Sequence, residues 1–101
     1  MTPLRLEQEA AYQGDDYWKW SVWLAGRQPD IDRVKYVEYT LHPTFPDPVR
    51  RIRDRDSQFR LSTAGWGEFT IYAKVVFKDG NQQFLEHELK LSHPAEEPAR
   101  G

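Results

Sequence analysis

The chain's 101 residues fit one domain and leave no room for a second. A net charge of −2 supplies no basic field, which argues against nucleic acid as the main partner, and the absence of cysteine excludes disulfides, thiolate chemistry and cysteine-type zinc sites. Aromatic residues make up 14% of the sequence, more large rings than so small a core hides, so some are expected at the surface as binding candidates.

In chain order, Leu4, Leu6, Ala10 and Tyr12 share one parity and predict a first strand, closed by a Gly14-Asp15-Asp16 turn. Tyr17 to Ala25 predicts a second, with Trp18, Trp20, Val22 and Leu24 on one face, ended by Gly26-Arg27-Gln28-Pro29-Asp30. A third runs from Arg33 to Leu41. Pro43, Pro46 and Pro48 then remove three backbone donors and force a loop. Short strands are expected at Val49 to Arg53 and Gln58 to Leu61. The mixed charges from Arg50 to Asp56 read as a solvated edge guarded against aggregation. Ser62 to Gly67 predicts a second loop, and Glu68 to Lys78 a strand with Phe69, Ile71, Ala73, Val75 and Phe77 alternating. Asp79-Gly80 signals a hairpin, and Gln83 to Leu91 a last strand. From Ser92 to Gly101, two prolines among small and charged residues read as a tail or linker.

Together these predict one all-β domain over residues 1–91, an immunoglobulin-like antiparallel β-sandwich of seven or eight strands. No apolar run approaches the roughly 20 residues that cross a bilayer. Met1-Thr2-Pro3-Leu4-Arg5 lacks the apolar stretch of a signal peptide. A soluble chain is expected, cytoplasmic, or nuclear in a eukaryote.

Catalysis finds little support. Ser21, Ser57, Ser62 and Ser92 sit in no elbow or triad-like context. His42, His87 and His93 lack the spacing of paired metal ligands. Neither an enzyme nor a cofactor or metal is expected. The two loops carry more. Each sets one large ring beside residues that control the backbone: Phe45 among prolines, Trp66 between Gly65 and Gly67, where glycine admits unusual φ and close approach of a ligand. Taken alone, either ring would plug the end of the core; facing each other, the pair would form a narrow slot.

The run Leu41-His42-Pro43-Thr44-Phe45, then Pro46, Pro48 and Arg50, followed by Phe59 and by Gly65-Trp66-Gly67 with Phe69, resembles the signature of the YEATS domain. The likeness covers about Tyr17 to Leu91 and is nearest to the prokaryotic branch. It implies an immunoglobulin-fold reader of acetylated or crotonylated lysine. By resemblance, Phe45 and Trp66 are the walls of an aromatic slot, and the Thr44 hydroxyl meets the acyl amide. The Trp66 N–H meets the acyl carbonyl, His42 supports Thr44, and Gly65 and Gly67 shape the second loop. Tyr17, Asp47 and Glu88 are candidate peptide contacts, with Tyr17 or Asp16 at the rim. The chemistry agrees: acylation turns a hydrated ammonium into a neutral planar amide, which sheds water cheaply once its carbonyl and N–H find partners.

Two other readings stand beside this one, a protein-interaction sandwich whose slot takes no acyl group and a carbohydrate-binding sandwich. Sugar sites want several polar partners around the ring platform, and the two loops offer few. The Pro-containing tail suggests attachment to an effector or anchor domain.

Overall fold

The computed structural model describes residues 4–92. The expected tail lies outside these residues except for Ser92. Two antiparallel sheets face each other in an immunoglobulin-like sandwich of seven strands. The first sheet holds β1 (Arg5–Gly14), β2 (Tyr17–Ala25) and β5 (Leu61–Gly65) in the order β1-β2-β5. The second holds β3 (Val34–Thr40), β4 (Val49–Ile52), β6 (Thr70–Phe77) and β7 (Gln82–Glu88) in the order β4-β3-β6-β7.

Alternation in the sequence sets which face each strand buries. Trp20, Val22 and Leu24 of β2 point inward and join Val37 and Tyr39 of β3 with Ile71, Ala73 and Val75 of β6 in one almost fully buried cluster, while Trp18 is buried against Tyr12, its indole N–H donating to the Ser92 carbonyl at 3.0 Å. The β1–β2 hairpin turns on Asp15 and Asp16, both at positive φ (56° and 55°), as a two-residue connection with matching strand twist requires. The segment after β2 is not a plain turn. It forms one helical turn, α1 (Gln28–Ile31), with Pro29 in its first turn and Ile31 buried beneath the sandwich. At Asp79-Gly80 the expected hairpin forms, with Gly80 at φ 93°.

The strand expected at Gln58 to Leu61 is displaced. Residues Arg55–Ser57 form a 3-10 turn, and Gln58 and Phe59 both take left-handed backbone (φ 61° and 58°). The strand starts at Leu61 and runs through Gly65, into what the sequence suggests is loop. The reason is tertiary. The Phe59 ring is fully buried, its carbonyl accepts the buried Tyr39 hydroxyl at 2.6 Å, and the Gln58 carbonyl accepts the Leu24 N–H at 2.9 Å. These bonds fix a backbone that Phe seldom adopts alone. Burial pushes the Tyr39 hydroxyl's pKa far above its ordinary value, so it stays a donor. The charged run is also more than a solvated edge. Arg51 and Arg53 stack over the Tyr36 ring, at 4.4 and 5.1 Å from its centre, and shield the outer face beside the edge strand β4.

Candidate functional site

Both loops arrive at one end of the sandwich, because β3 ends where β5 ends and β6 begins. The Leu41 N–H donates to the Pro48 carbonyl at 2.7 Å and closes the first loop at its base. Within it, the Phe45 N–H donates to the His42 carbonyl at 3.0 Å. The Arg50 guanidinium donates to the carbonyls of Asp47 (2.6 Å) and Pro46 (2.9 Å), pinning a stretch whose prolines cannot donate.

His42 and Thr44 form a local unit. The Thr44 N–H approaches His42 Nδ1 at 3.3 Å, which makes that nitrogen an acceptor. The Thr44 hydroxyl, 2.9 Å away, therefore donates to the same nitrogen. Its oxygen lone pairs stay free to accept an N–H from outside.

Phe45 is half-buried and rests on three supports. The Phe69 ring lies 5.3 Å away and the Trp20 ring 6.2 Å away at 83°, while Gly65 passes beneath its edge. A Cβ at Gly65 would lie 3.5 Å from Phe45 Cζ. Here the sequence expectation needs correcting. Neither Gly65 nor Gly67 has positive φ, and Gly65 is a buried strand residue. Its value is space for the Phe45 ring rather than unusual backbone.

Trp66 stands free on the other side, 74% exposed, in the connection that crosses from β5 to β6. The β2–β5 register ends at Gly65, one residue short of Trp66. Glu68 ties this connection down, its carboxylate accepting the Leu91 N–H at 2.6 Å, and the Leu89 N–H donates to the Phe69 carbonyl at 2.9 Å.

Between the loops lies a cleft of about 390 Å³, lined by His42, Thr44, Phe45 and Pro46 on one side and by residues 64–69 on the other. All six residues expected at the slot line it. Tyr17, Asp47 and Glu88 stand at exposed positions outside its lining. Phe69 is a member that sequence reasoning used as a motif residue but gave no role. It packs on Phe45, Trp20 and His42 and forms the slot's inner end. Its signal was its place as the first inward residue of the alternation that becomes β6. Among the described residues, no group of acidic or histidine side chains is placed to hold a metal ion, and no helix is long and apolar enough to cross a membrane.

An immunoglobulin-like sandwich with an aromatic cleft between two end loops is thus the class that fold and site define. A family model described as the prokaryotic YEATS domain matches residues 18–90, and the chain belongs to that family. It is 40% identical over 84 residues to the Protein AF-9 homolog of Saccharomyces cerevisiae, a match covering 78% of this chain and 36% of that protein. The chain thus spans about a third of the length of this relative. Among solved structures, it resembles the Yaf9 YEATS domain recognizing an H3K122suc peptide, with a TM-score of 0.71 and 32% identity over 93% of this chain and 76% of that one. It also resembles the Yaf9 YEATS domain bound to H3K27ac, with a TM-score of 0.73 and 29% identity over 94% of this chain and 77% of that one.

Proposed function

We propose that this domain is a non-enzymatic reader of acylated lysine, with the acyl-amide held in the slot between Phe45 and Trp66. The observation that carries the reading is the His42–Thr44 unit beside two aromatic side chains. The hydroxyl donates to His42 and so offers its oxygen to the amide N–H. The Trp66 N–H, beyond the β2 ladder, donates to the acyl carbonyl. With both amide groups paired, the flat acyl group stacks between the rings without losing hydrogen bonds. An unmodified ammonium would shed far more hydration than a neutral amide on entering between the rings, with Glu68 the single carboxylate in the lining. That the related Yaf9 domain takes both H3K27ac and H3K122suc supports the acyl class as ligand.

Within a longer protein the domain would bring an attached effector or anchor to an acylated partner, in whichever compartment that partner lies. A sugar platform is less well supported, since the slot's polar lining is largely the His42–Thr44 pair and an engaged carboxylate.

The test is a titration with matched acetylated, crotonylated and unmodified lysine peptides. An acylated peptide should bind more tightly than its unmodified counterpart. Phe45→Ala or Trp66→Ala should cost roughly 1–3 kcal/mol of that affinity or more. Trp66, being exposed, should leave the melting temperature nearly unchanged when truncated. Equal affinity for acylated and unmodified peptides would refute the reading; equal affinity of the native chain and both variants would refute the site.

A further inference from the structure

The outer face of the three-stranded sheet carries a cation that the slot does not use. Along β2, Trp20, Val22 and Leu24 point into the core, so Lys19, Ser21 and Trp23 point outward. The register sets Lys19 directly opposite Ala64 of β5 on one side and Ala11 of β1 on the other. A shallow depression on this face, whose lining includes Lys19, Ser21, Ser62 and Ala64, shares Ala64 with the slot. Lys19 is exposed, and its ammonium has no ion-pair or hydrogen-bond partner among the described residues. The acid nearest in register is Glu9, one row away, and it is held by Arg60, which also stacks over Trp23 at 4.7 Å from the ring centre.

The slot's lining holds no lysine or arginine, and the other cations beside it are engaged. Arg50 donates to the Asp47 and Pro46 carbonyls, and Lys90 meets Glu88 at 3.3 Å. In a directly opposed pair the Cβ atoms lie roughly 4.5–5.5 Å apart, and a lysine ammonium swings on a four-carbon stem. Lys19 laid across the Ala64 methyl therefore brings its charge to the mouth of the slot.

A neutral amide in the slot gives this charge nothing to pair with, whereas a carboxylate carried by the same ligand does. At the slot's edge the pair stays wet, so neither ion is stripped of its water and the attraction survives as a modest gain. We infer that Lys19 is a specificity residue, receiving a carboxylate from a ligand whose acylated lysine occupies the slot. Two parts of such a ligand can bear the carboxylate: the far end of an acyl chain derived from a dicarboxylic acid, or an acidic side chain within three positions of the acylated lysine. This rests on the acyl-lysine reading of the slot and adds a charge preference to it.

The experiment titrates the full chain with a lysine peptide of neutral flanks in its unmodified, acetyl and succinyl forms, and with the terminal amide of the succinyl form, which keeps the length and loses the charge. A second arm compares glutamate with glutamine at each of the three positions on either side of acetyl-lysine. Lys19→Gln, Lys19→Glu and Lys19→Arg are measured beside the native chain, with thermal melts showing that each is folded. In one arm the carboxylate should tighten binding roughly two- to fivefold over its neutral counterpart, and added salt should shrink the gain. The arm that shows it identifies the bearer. Lys19→Gln should abolish the gain, Lys19→Glu should turn it into a loss and Lys19→Arg should keep it, while the neutral acetyl peptide binds all four chains alike. If the acetyl peptide binds but neither carboxylate tightens binding, or the gain persists in Lys19→Gln and Lys19→Glu, the assignment is overturned and the slot reading survives. If no acylated peptide binds more tightly than the unmodified one, the slot reading falls and the role of Lys19 with it.

Discussion

Thr44 is exposed yet held in one orientation by its neighbour two residues back. Thr44→Val keeps the shape and removes the hydroxyl, so acyl-lysine affinity should fall by about 0.5–1.5 kcal/mol, with the melting temperature unchanged, as titration and thermal melts can check together. Gly65 offers a graded companion. Alanine there would place its Cβ in ordinary contact with Phe45 Cζ, at 3.5 Å, and should be tolerated. Gly65→Val would extend further into the ring's space, displace Phe45 and weaken binding by tenfold or more on the order of an aromatic anchor's loss. At this scale the sequence picks out residues that come to line one cleft, because His42, Thr44, Phe45 and Trp66 stand in a distinctive order. It is less informative about how they act. A glycine that frees φ and one that makes room for a ring look the same in one dimension, and only the packing of Phe45 on Gly65 separates them.

At the scale of elements, legibility follows burial. β2 and β6 alternate in size and polarity because each buries one face, and both were readable. β5 was not, since Ser62-Thr63-Ala64-Gly65 has weak intrinsic strand preference and becomes a strand by pairing with Trp18 to Ser21. The left-handed Gln58 and Phe59 carry no glycine to announce them. At the opposite edge, the Gln8 side chain acts as a strand would: its amide donates to the Lys90 carbonyl and accepts the Lys90 N–H, both at 2.8 Å. His87 Nε2 lies 2.8 Å from the same Gln8 oxygen, which fixes it as a donor. Burial lowers the His87 pKa below the ordinary imidazole range, against the pull of Glu7 and Glu88. The neutral ring is therefore the form the fold favours. Its contribution is complete above the ordinary imidazole pKa and is lost as pH falls through the lower folded value. Melting temperatures measured from pH 8 to 5 should decline in that window, and His87→Gln should flatten the decline.

At the scale of the whole molecule, core and site are not separate regions. Trp20 is 2% exposed, and its ring meets both Phe45 (6.2 Å) and Phe69 (5.9 Å) edge-on. Trp20→Ala should cost about 3–5 kcal/mol of stability in denaturant titration. Peptide affinity should fall with it even where the variant remains folded, since both rings lose their support. Stability loss with native affinity would show that the slot stands without this pillar.

The strand order carries a kinetic consequence. Phe45 comes from a loop between two strands of one sheet, whereas Trp66 leaves a strand of the other, which must first pair with β2; Ser21 and Ser62, bonded at 2.8 Å, are 41 residues apart in sequence. The β1–β2 hairpin closes locally, but the cleft needs the long closure of β2 with β5 and should therefore assemble late on the folding path. A ligand that spans Phe45 and Trp66 then grips a constellation the transition state has not completed. It slows the escape from the native basin and leaves the rate of entry untouched, so even a weakly bound occupant of the cleft should prolong the life of the fold.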